Sequence, residues 1–270
     1  MLTLNKIAEN LNILGHFCGR RDVAALTQEN LSAFCGRKQA DAMVLFGGSI
    51  LCGIDVLAEA IRSQAARQYI IAGGAGHTTA TLQEKARSLF PGCKATGETE
   101  AELFAALLQH RHGLQADFLE THSTNCGNNI TNLLELLSQN HIPADNLILT
   151  QDATMQQRMD AVLRKYKPDC CIVNFASYEA HVVVKKDALC FQQDIFGMWS
   201  MDRYITLLMG ELPRLQDTPS GYGPQGKNYL AHVAIPASVS RAFHELQDIY
   251  ADKIRKANAR FATPAVQKKK

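Results

Sequence analysis

The sequence predicts an α/β protein with a Rossmann-like, doubly wound parallel sheet of about five strands and a smaller, mainly helical C-terminal subdomain. Two observations carry this prediction. Five short apolar runs are continuous rather than alternating, as expected of strands that are buried on both faces. Segments with apolar residues at helical spacing separate these runs, and such strand–helix–strand repetition implies parallel strands joined by right-handed crossovers.

The predicted elements follow one another in a regular order. An amphipathic N-terminal helix, with Leu4, Ile7, Leu11 and Leu14 on one face, precedes the sheet. The apolar runs place strands at 42–46, 68–72, 117–120, 146–150 and 170–175. The helical patterns cover 54–63, 79–90, 98–111, 127–139 and 153–166.

The strand–helix rhythm ends after Phe175, so we predict an α/β domain over 1–176 and a cap or subdomain over 177–270. One more helix is expected within "FGMWSMDRYITLLMGELPRL", and Pro236 opens a final one. Between them, the glycine-rich segment "SGYGPQGKN" could act as a lid over a ligand, although many plain surface loops have the same composition.

Composition excludes several classes of protein. With a net charge of +2, the chain has no broad basic field that would attract nucleic acid. The most apolar stretch, "AMVLFGGSILCGI", is too short to span a bilayer, and no signal peptide is apparent. The 8 cysteines show no Cys-x-x-Cys pair or zinc-ligand spacing, which suits a reducing compartment. We therefore expect a cytoplasmic protein without a metal site, and its oligomeric state stays open.

Small and polar residues follow four of the predicted strands, at the point where each strand ends. These turns contain Gly47-Gly48-Ser49, Gly73-Gly74-Ala75-Gly76-His77, Ser123-Thr124-Asn125 and Gln151-Asp152. The carboxyl ends of parallel strands meet at one edge of a sheet, where ligands bind, and each turn leads into a helix N-terminus that favours an anion. The sequence therefore predicts a ligand site at this edge, although Thr124 or Asn125 could serve only as a helix cap.

Four side chains near this edge are candidates for chemistry. His77 could donate to a phosphate or act as a base, or it could be structural. Glu120 ends a buried strand, where a carboxylate needs partners or a ligand, and Asp152 is a further acidic candidate. Arg158 is placed to pair with a phosphate or carboxylate, and a surface arginine is the alternative. His77 and Glu120 are the two candidate catalytic residues.

Known nucleotide motifs fit poorly. Gly74-x-Gly76-x-x-Thr79 resembles the start of a dinucleotide fingerprint, but a threonine occupies the third position and the motif follows the second strand. The chain contains neither the glycine-rich phosphate loop of ATPases nor the Gly-x-Ser-x-Gly elbow of serine hydrolases. The motifs therefore do not favour NAD binding or ATP hydrolysis.

Four segments resemble the YdcF-like branch of the bacterial YdcF–SanA–ElyC family: "GGAGHTT", "STNCGNN", "QDATMQQR" and "RYITLLMGELPRLQDTPSGYGPQG". The resemblance covers nearly the whole chain and implies a Rossmann-like protein that binds a nucleotide-type ligand, with S-adenosyl-L-methionine as the one associated with this branch. The family's pattern falls here on Gly47, Gly48, Gly73, Gly74, Glu100, Ser123, Thr124, Asn125, Asn129, Gln151 and Arg158. This chain has Asn128-Asn129 where the family usually has Glu-Asn.

The resemblance implies no established reaction, so three interpretations stay open. The first is a binding protein for S-adenosyl-L-methionine. The ligand's sulfonium needs nearby negative charge and its ribose needs an acceptor, and these could come from Glu100, Glu120 and Asp152. It would not be an ordinary methyltransferase, because "IAGGAGH" lacks the acidic residue expected after the second strand. The second is a hydrolase or transferase for a phosphorylated or activated small molecule, with His77 or Glu120 as acid or base. The third is a non-enzymatic regulator, which Asn128 favours.

Overall fold

The architecture is a five-stranded parallel sheet flanked by helices, seen in a computed structural model that describes residues 2–48, 50–76, 79–93 and 98–254. The strands are β1 (Ala42–Phe46), β2 (Tyr69–Ala72), β3 (Phe118–Glu120), β4 (Asn146–Thr150) and β5 (Cys171–Asn174). Their order is β3-β2-β1-β4-β5, and every neighbouring pair is parallel. The predicted doubly wound α/β fold is confirmed. From β1 the chain adds β2 and β3 on one side of the sheet and then β4 and β5 on the other side. The carboxyl ends of β1 and β4 are therefore the topological switch point.

Burial explains why the strand prediction worked. Every residue of β1, β2 and β4 is buried, so these strands appear in the sequence as uninterrupted apolar runs. The edge strand β3 has only three residues, and its Leu119 is exposed. The predicted strand at 117–120 is one residue longer than the observed one, which begins at Phe118.

Helices cover both faces of the sheet and continue beyond it. In chain order they are α1 (Leu4–Cys18), α2 (Gln28–Cys35), α3 (Gly53–Arg62), α4 (Thr79–Leu89), α5 (Glu100–His112), α6 (Cys126–Gln139), α7 (Gln156–Tyr166), α8 (Met201–Leu215) and α9 (Ala237–Tyr250). Helix α2 was not predicted, because it buries only Leu31 and so carries almost no apolar periodicity. Helix α7 begins three residues later than the pattern 153–166 indicates, since 153–155 form a turn.

The C-terminal part contains a β-hairpin besides its helices. Strands β6 (Val182–Lys185) and β7 (Ala188–Phe191) pair in antiparallel fashion. They are joined by Lys186 and Asp187, whose φ angles of 50° and 57° are those of a two-residue turn of type I′. Neither residue is a glycine, so the usual sequence signal of such a hairpin is missing.

Helix α1 packs against α9, α8 and β6, so the N-terminal helix lies among elements from the other end of the chain. The buried apolar residues of the sheet, the helices and the C-terminal elements form one continuous core. The domain boundary at 176 stays a prediction. Within the described ranges, no helix has both the length and the apolar character needed to cross a membrane.

Candidate functional site

The turns that follow β1 and β2 pack so closely that Gly47, Gly73 and Gly74 have no room for a side chain. A Cβ on Gly73 would lie 2.9 Å from the Cα of Gly47, and one on Gly47 would lie 2.6 Å from Oε2 of Glu100. A Cβ on Gly74 would lie 2.2 Å from the carbonyl oxygen of Ser123. Gly48 has a φ of 77°, in the left-handed region. These glycines bring the ends of β1 and β2, α5 and the turn after β3 into direct contact.

Glu100, the first residue of α5, supports the glycine turn after β2. Its side chain is buried, and its Oε1 accepts a hydrogen bond of 2.9 Å from Oγ1 of Thr79. Thr79 Oγ1 in turn accepts from the backbone N–H of Gly76 at 2.7 Å, and the backbone N–H of Glu100 donates to the Gly74 carbonyl at 3.1 Å. This carboxylate, predicted to bind a ligand, therefore also fixes the shape of the turn.

The opening turn of α6 is held by its own asparagines. Asn125 is the N-cap, and its Oδ1 accepts from the backbone N–H of Asn128 at 3.0 Å. Asn128 Oδ1 accepts in return from Nδ2 of Asn125 at 2.8 Å and from Oγ1 of Thr124 at 3.2 Å. The amide oxygen of Asn128 thus fills an acceptor position that the carboxylate common in the resembled family could also fill.

Glu120 and Ser123 link the end of β3 to the neighbouring turn and helix. Glu120 Oε1 accepts from the backbone N–H groups of His122 and Ser123 at 2.7 and 3.0 Å, and from Nδ2 of Asn132 at 3.0 Å. Ser123 Oγ accepts from the backbone N–H of Gly74 at 3.2 Å. The other carboxylate oxygen, Glu120 Oε2, is buried and has no hydrogen-bond partner in the described part of the chain. A buried carboxylate oxygen without a donor is rare and calls for an explanation.

Asn129 is a second polar group without a hydrogen-bond partner in the part of the chain that the structure describes. It lies one helical turn before Asn132, on the α6 face that contacts Glu120. The residue is 8% exposed, and no described residue makes a hydrogen bond with its side-chain amide. Its amide atoms are not fully enclosed, unlike Oε2 of Glu120. An amide in this position can donate to and accept from a bound molecule.

At the switch point, Gln151 of the turn after β4 makes hydrogen bonds with both the nitrogen and the oxygen of its side-chain amide. Gln151 Nε2 donates to the Gly47 carbonyl at 2.9 Å, and its Oε1 accepts from the backbone N–H of Asp152 at 2.7 Å. Gln151 therefore joins the turns after β1 and β4, and both ends of its amide already have partners within the protein.

Asp152 is 1% exposed and accepts four hydrogen bonds. Its Oδ1 accepts from the backbone N–H and Oγ1 of Thr154 at 2.9 and 2.7 Å and from the Tyr178 hydroxyl at 2.8 Å. Its Oδ2 accepts from Nε1 of Trp199 at 2.7 Å. Lys85 of α4 lies over the same tryptophan ring, 4.6 Å from its centroid. Asp152 therefore joins the sheet edge to the segments that follow β5 and β7.

Arg158 pairs with a carboxylate of the protein. Its Nη2 donates to Oε1 of Glu211 in α8 at 2.9 Å, and its Nε lies 2.7 Å from Oε2. The side chains are 13% and 1% exposed. Burial lowers the pKa of Arg158, but the nearby Cys126 sulfur and the Glu211 carboxylate outweigh this and raise it above its ordinary value. The guanidinium is therefore a permanent, buried partner of Glu211.

Cys52, which precedes α3 at the same edge, is a half-buried thiol and not an activated nucleophile. It donates to the Ser177 carbonyl at 3.4 Å. Burial, followed by the Asp152 and Asp55 carboxylates, raises the pKa of Cys52 to about 12.

We expect iodoacetamide at about pH 8 to alkylate Cys52 at least ~100-fold more slowly in the folded than in the unfolded protein, because only the thiolate reacts. Mass spectrometry of the peptide that contains Cys52 measures both rates. Equal rates would contradict this assignment.

The structure brings most of the predicted site residues to one edge of the sheet, and Ser49 and His77 lie outside the described residues. Three contacts there were not anticipated: the hydroxyl of Thr79, the amide of Asn132 and the carboxylate of Glu211. The described residues contain no cluster of metal-ligating side chains. A comparison with protein-family models finds none that matches the chain.

Proposed function

We propose that this protein binds a nucleotide-type ligand, with S-adenosyl-L-methionine foremost, at the carboxyl edge of the sheet beside the first turn of α6. The observation that carries the proposal is a pair of groups without a hydrogen-bond partner among the described residues: Glu120 Oε2 at the end of β3, and the amide of Asn129 on the adjoining face of α6. Other polar side chains at this edge already have partners within the protein: Gln151 donates to the Gly47 carbonyl, and Asp152 accepts from Trp199 and Tyr178.

The two groups suit the polar parts of such a ligand. A ribose diol needs an acceptor, and a sulfonium is stabilised by nearby negative charge, so one carboxylate can serve either part. The Asn129 amide can bind a purine edge or an amino-acid carboxylate. Glu120 Oε2 is shielded from solvent, whereas the amide of Asn129 is not fully enclosed. We therefore assign the initial contact to Asn129.

Glu120 is assigned to binding and not to acid–base chemistry. Three donors hold its Oε1 in one orientation, which favours a fixed acceptor over a group that moves a proton to and from a substrate. A hydrolase or transferase acting on a phosphorylated or activated small molecule is the alternative function. It requires turnover that is lost in Glu120→Gln or His77→Ala.

We expect S-adenosyl-L-methionine at ~100 times its dissociation constant to stabilise the protein by about 2.7 kcal/mol, a shift of several degrees in Tm at most. Asn129→Ala should weaken binding about 2–10-fold in calorimetry, because it removes a hydrogen bond worth ~0.5–1.5 kcal/mol. ATP, NAD and S-adenosylhomocysteine complete the ligand panel.

Gln139→Ala is the matched control, since it removes an exposed amide at the other end of the same helix. It should leave affinity unchanged. A flat response to every ligand would refute nucleotide binding, and equal affinity in Asn129→Ala and the parent protein would refute this location.

A further inference from the structure

A cavity of about 330 Å³ lies away from the α6 site, among α1, the turns after β4 and β5, the segment after β7, and α8. None of the residues predicted to bind a ligand lines it, and the nearest lining residue is Ala153, next to Asp152. Its volume falls at the low end of the ~300–1,000 Å³ that is usual for small-molecule sites. The cavity is therefore a separate place where a small ligand could bind.

Tyr204 of α8 places an unsatisfied hydroxyl in the wall of this cavity. The residue is 1% exposed, and no described group makes a hydrogen bond with its hydroxyl. The hydroxyl faces Gly15 of α1, another lining residue, where an added Cβ would lie 2.5 Å from the oxygen. Burial raises the pKa of Tyr204, so the group stays protonated and can both donate and accept. Tyr178, the other tyrosine of the wall, already donates to Asp152.

The lining offers hydrogen bonds but little charge. Its described residues include no lysine or arginine, and its basic side chains are the imidazoles of His16 and His181. The one carboxylate, Glu179, is 72% exposed and forms an ion pair of 3.1 Å with Arg21. Gln192 and Gln193 contribute amides at the exposed rim. A phosphate or carboxylate would thus find no permanent cationic partner, and a cation would compete with Arg21 for Glu179.

We propose that this cavity binds a neutral, polyhydroxylated molecule of the size of a monosaccharide or cyclitol, with the Tyr204 hydroxyl as its innermost polar contact. Such a ligand presents several hydroxyls that both donate and accept, as the amides and the tyrosine hydroxyl of the wall do. The rings of Tyr178 and Tyr204, with Ile195, give its C–H groups an apolar surface. The site is independent of the nucleotide-type ligand proposed above.

The test uses the whole protein and four neutral probes: D-glucose, D-mannose, D-ribose and myo-inositol. Saturation-transfer NMR at about pH 8, where imidazole is ordinarily neutral, should detect binding of at least one probe. Tyr204→Phe should then weaken it about 2–10-fold, since it deletes one hydrogen-bonding group. Ala180→Leu, which fills the cavity from the half-buried Ala180, should abolish it.

Tyr166→Phe is the matched control, because this tyrosine is exposed on α7 and does not line the cavity. Since the Tyr204 hydroxyl has no hydrogen-bond partner among the described residues, Tyr204→Phe should keep the parent Tm, and only ligand affinity should change. The proposal is wrong if none of the four probes binds, or if binding is the same in Tyr204→Phe and Ala180→Leu as in the parent. Tighter binding of glucose 6-phosphate than of glucose would also overturn it.

Discussion

Replacing Arg158 by methionine should lower the free energy of unfolding by about 3–5 kcal/mol, because it leaves the Glu211 carboxylate buried without its charge partner. Glu211 is 1% exposed, and both of its oxygens contact the guanidinium, at 2.9 and 2.7 Å. Cys126, which also lies near Arg158, is not a cation and cannot take the place of the guanidinium. Urea unfolding followed by circular dichroism measures the change.

The double variant Arg158→Met/Glu211→Leu should recover most of this loss, since replacing a buried ion pair by apolar residues of similar volume is often neutral or stabilising. The coupling between the two sites then follows from a double-mutant cycle. Arg164→Met is a suitable control, because Arg164 is an arginine of the same helix with a half-exposed side chain. A loss of less than ~1 kcal/mol in Arg158→Met would contradict the buried-pair assignment.

The same double variant separates two roles for Arg158. The family resemblance implies that Arg158 contacts the ligand, whereas the structure shows its charge paired with Glu211. A folded double variant that keeps its affinity for S-adenosyl-L-methionine would assign Arg158 to stability alone. A folded double variant that has lost this affinity would support the ligand role.

The strands of the sheet could be predicted from the sequence because their signal, a continuous run of apolar residues, lies within each strand itself. Buried parallel strands appear as continuous apolar runs, and β1, β2 and β4 were placed to within a residue. The hairpin β6–β7 was missed because Lys186 and Asp187 adopt positive φ angles without glycine. Helix α2 was missed because a helix that buries one leucine has no periodicity to detect.

Sequence could indicate the edge of the sheet where the polar turns gather, but not which of their side chains are already engaged. Asp152 meets Trp199, 47 positions later, and Arg158 meets Glu211, 53 positions later. Such pairs depend on how the C-terminal elements pack against the sheet, which no local pattern encodes. Capping by Asn125, in contrast, was among the alternatives because the Asn-to-helix pattern is local.

Replacing Asp152 by alanine should also destabilise the protein strongly, by about 3 kcal/mol or more, because it leaves several buried donors without an acceptor. Two of them, the Tyr178 hydroxyl and Trp199 Nε1, come from the segments that cover the sheet edge. Trp199 is the only tryptophan of the chain, so its fluorescence reports on this contact directly. We expect its emission to shift to the red as the indole loses its partner and is hydrated.

Asp169→Ala is the matched control, since Asp169 is exposed between α7 and β5. It should change neither the unfolding midpoint nor the emission. Asp152→Asn tests the geometry further: its amide oxygen can still accept from Thr154 and Tyr178, while an amide N–H faces the indole N–H. It should therefore destabilise less than alanine and still release Trp199. If Asp152 instead served mainly to bind a ligand, both variants would lose affinity while stability and fluorescence stayed at the parent values.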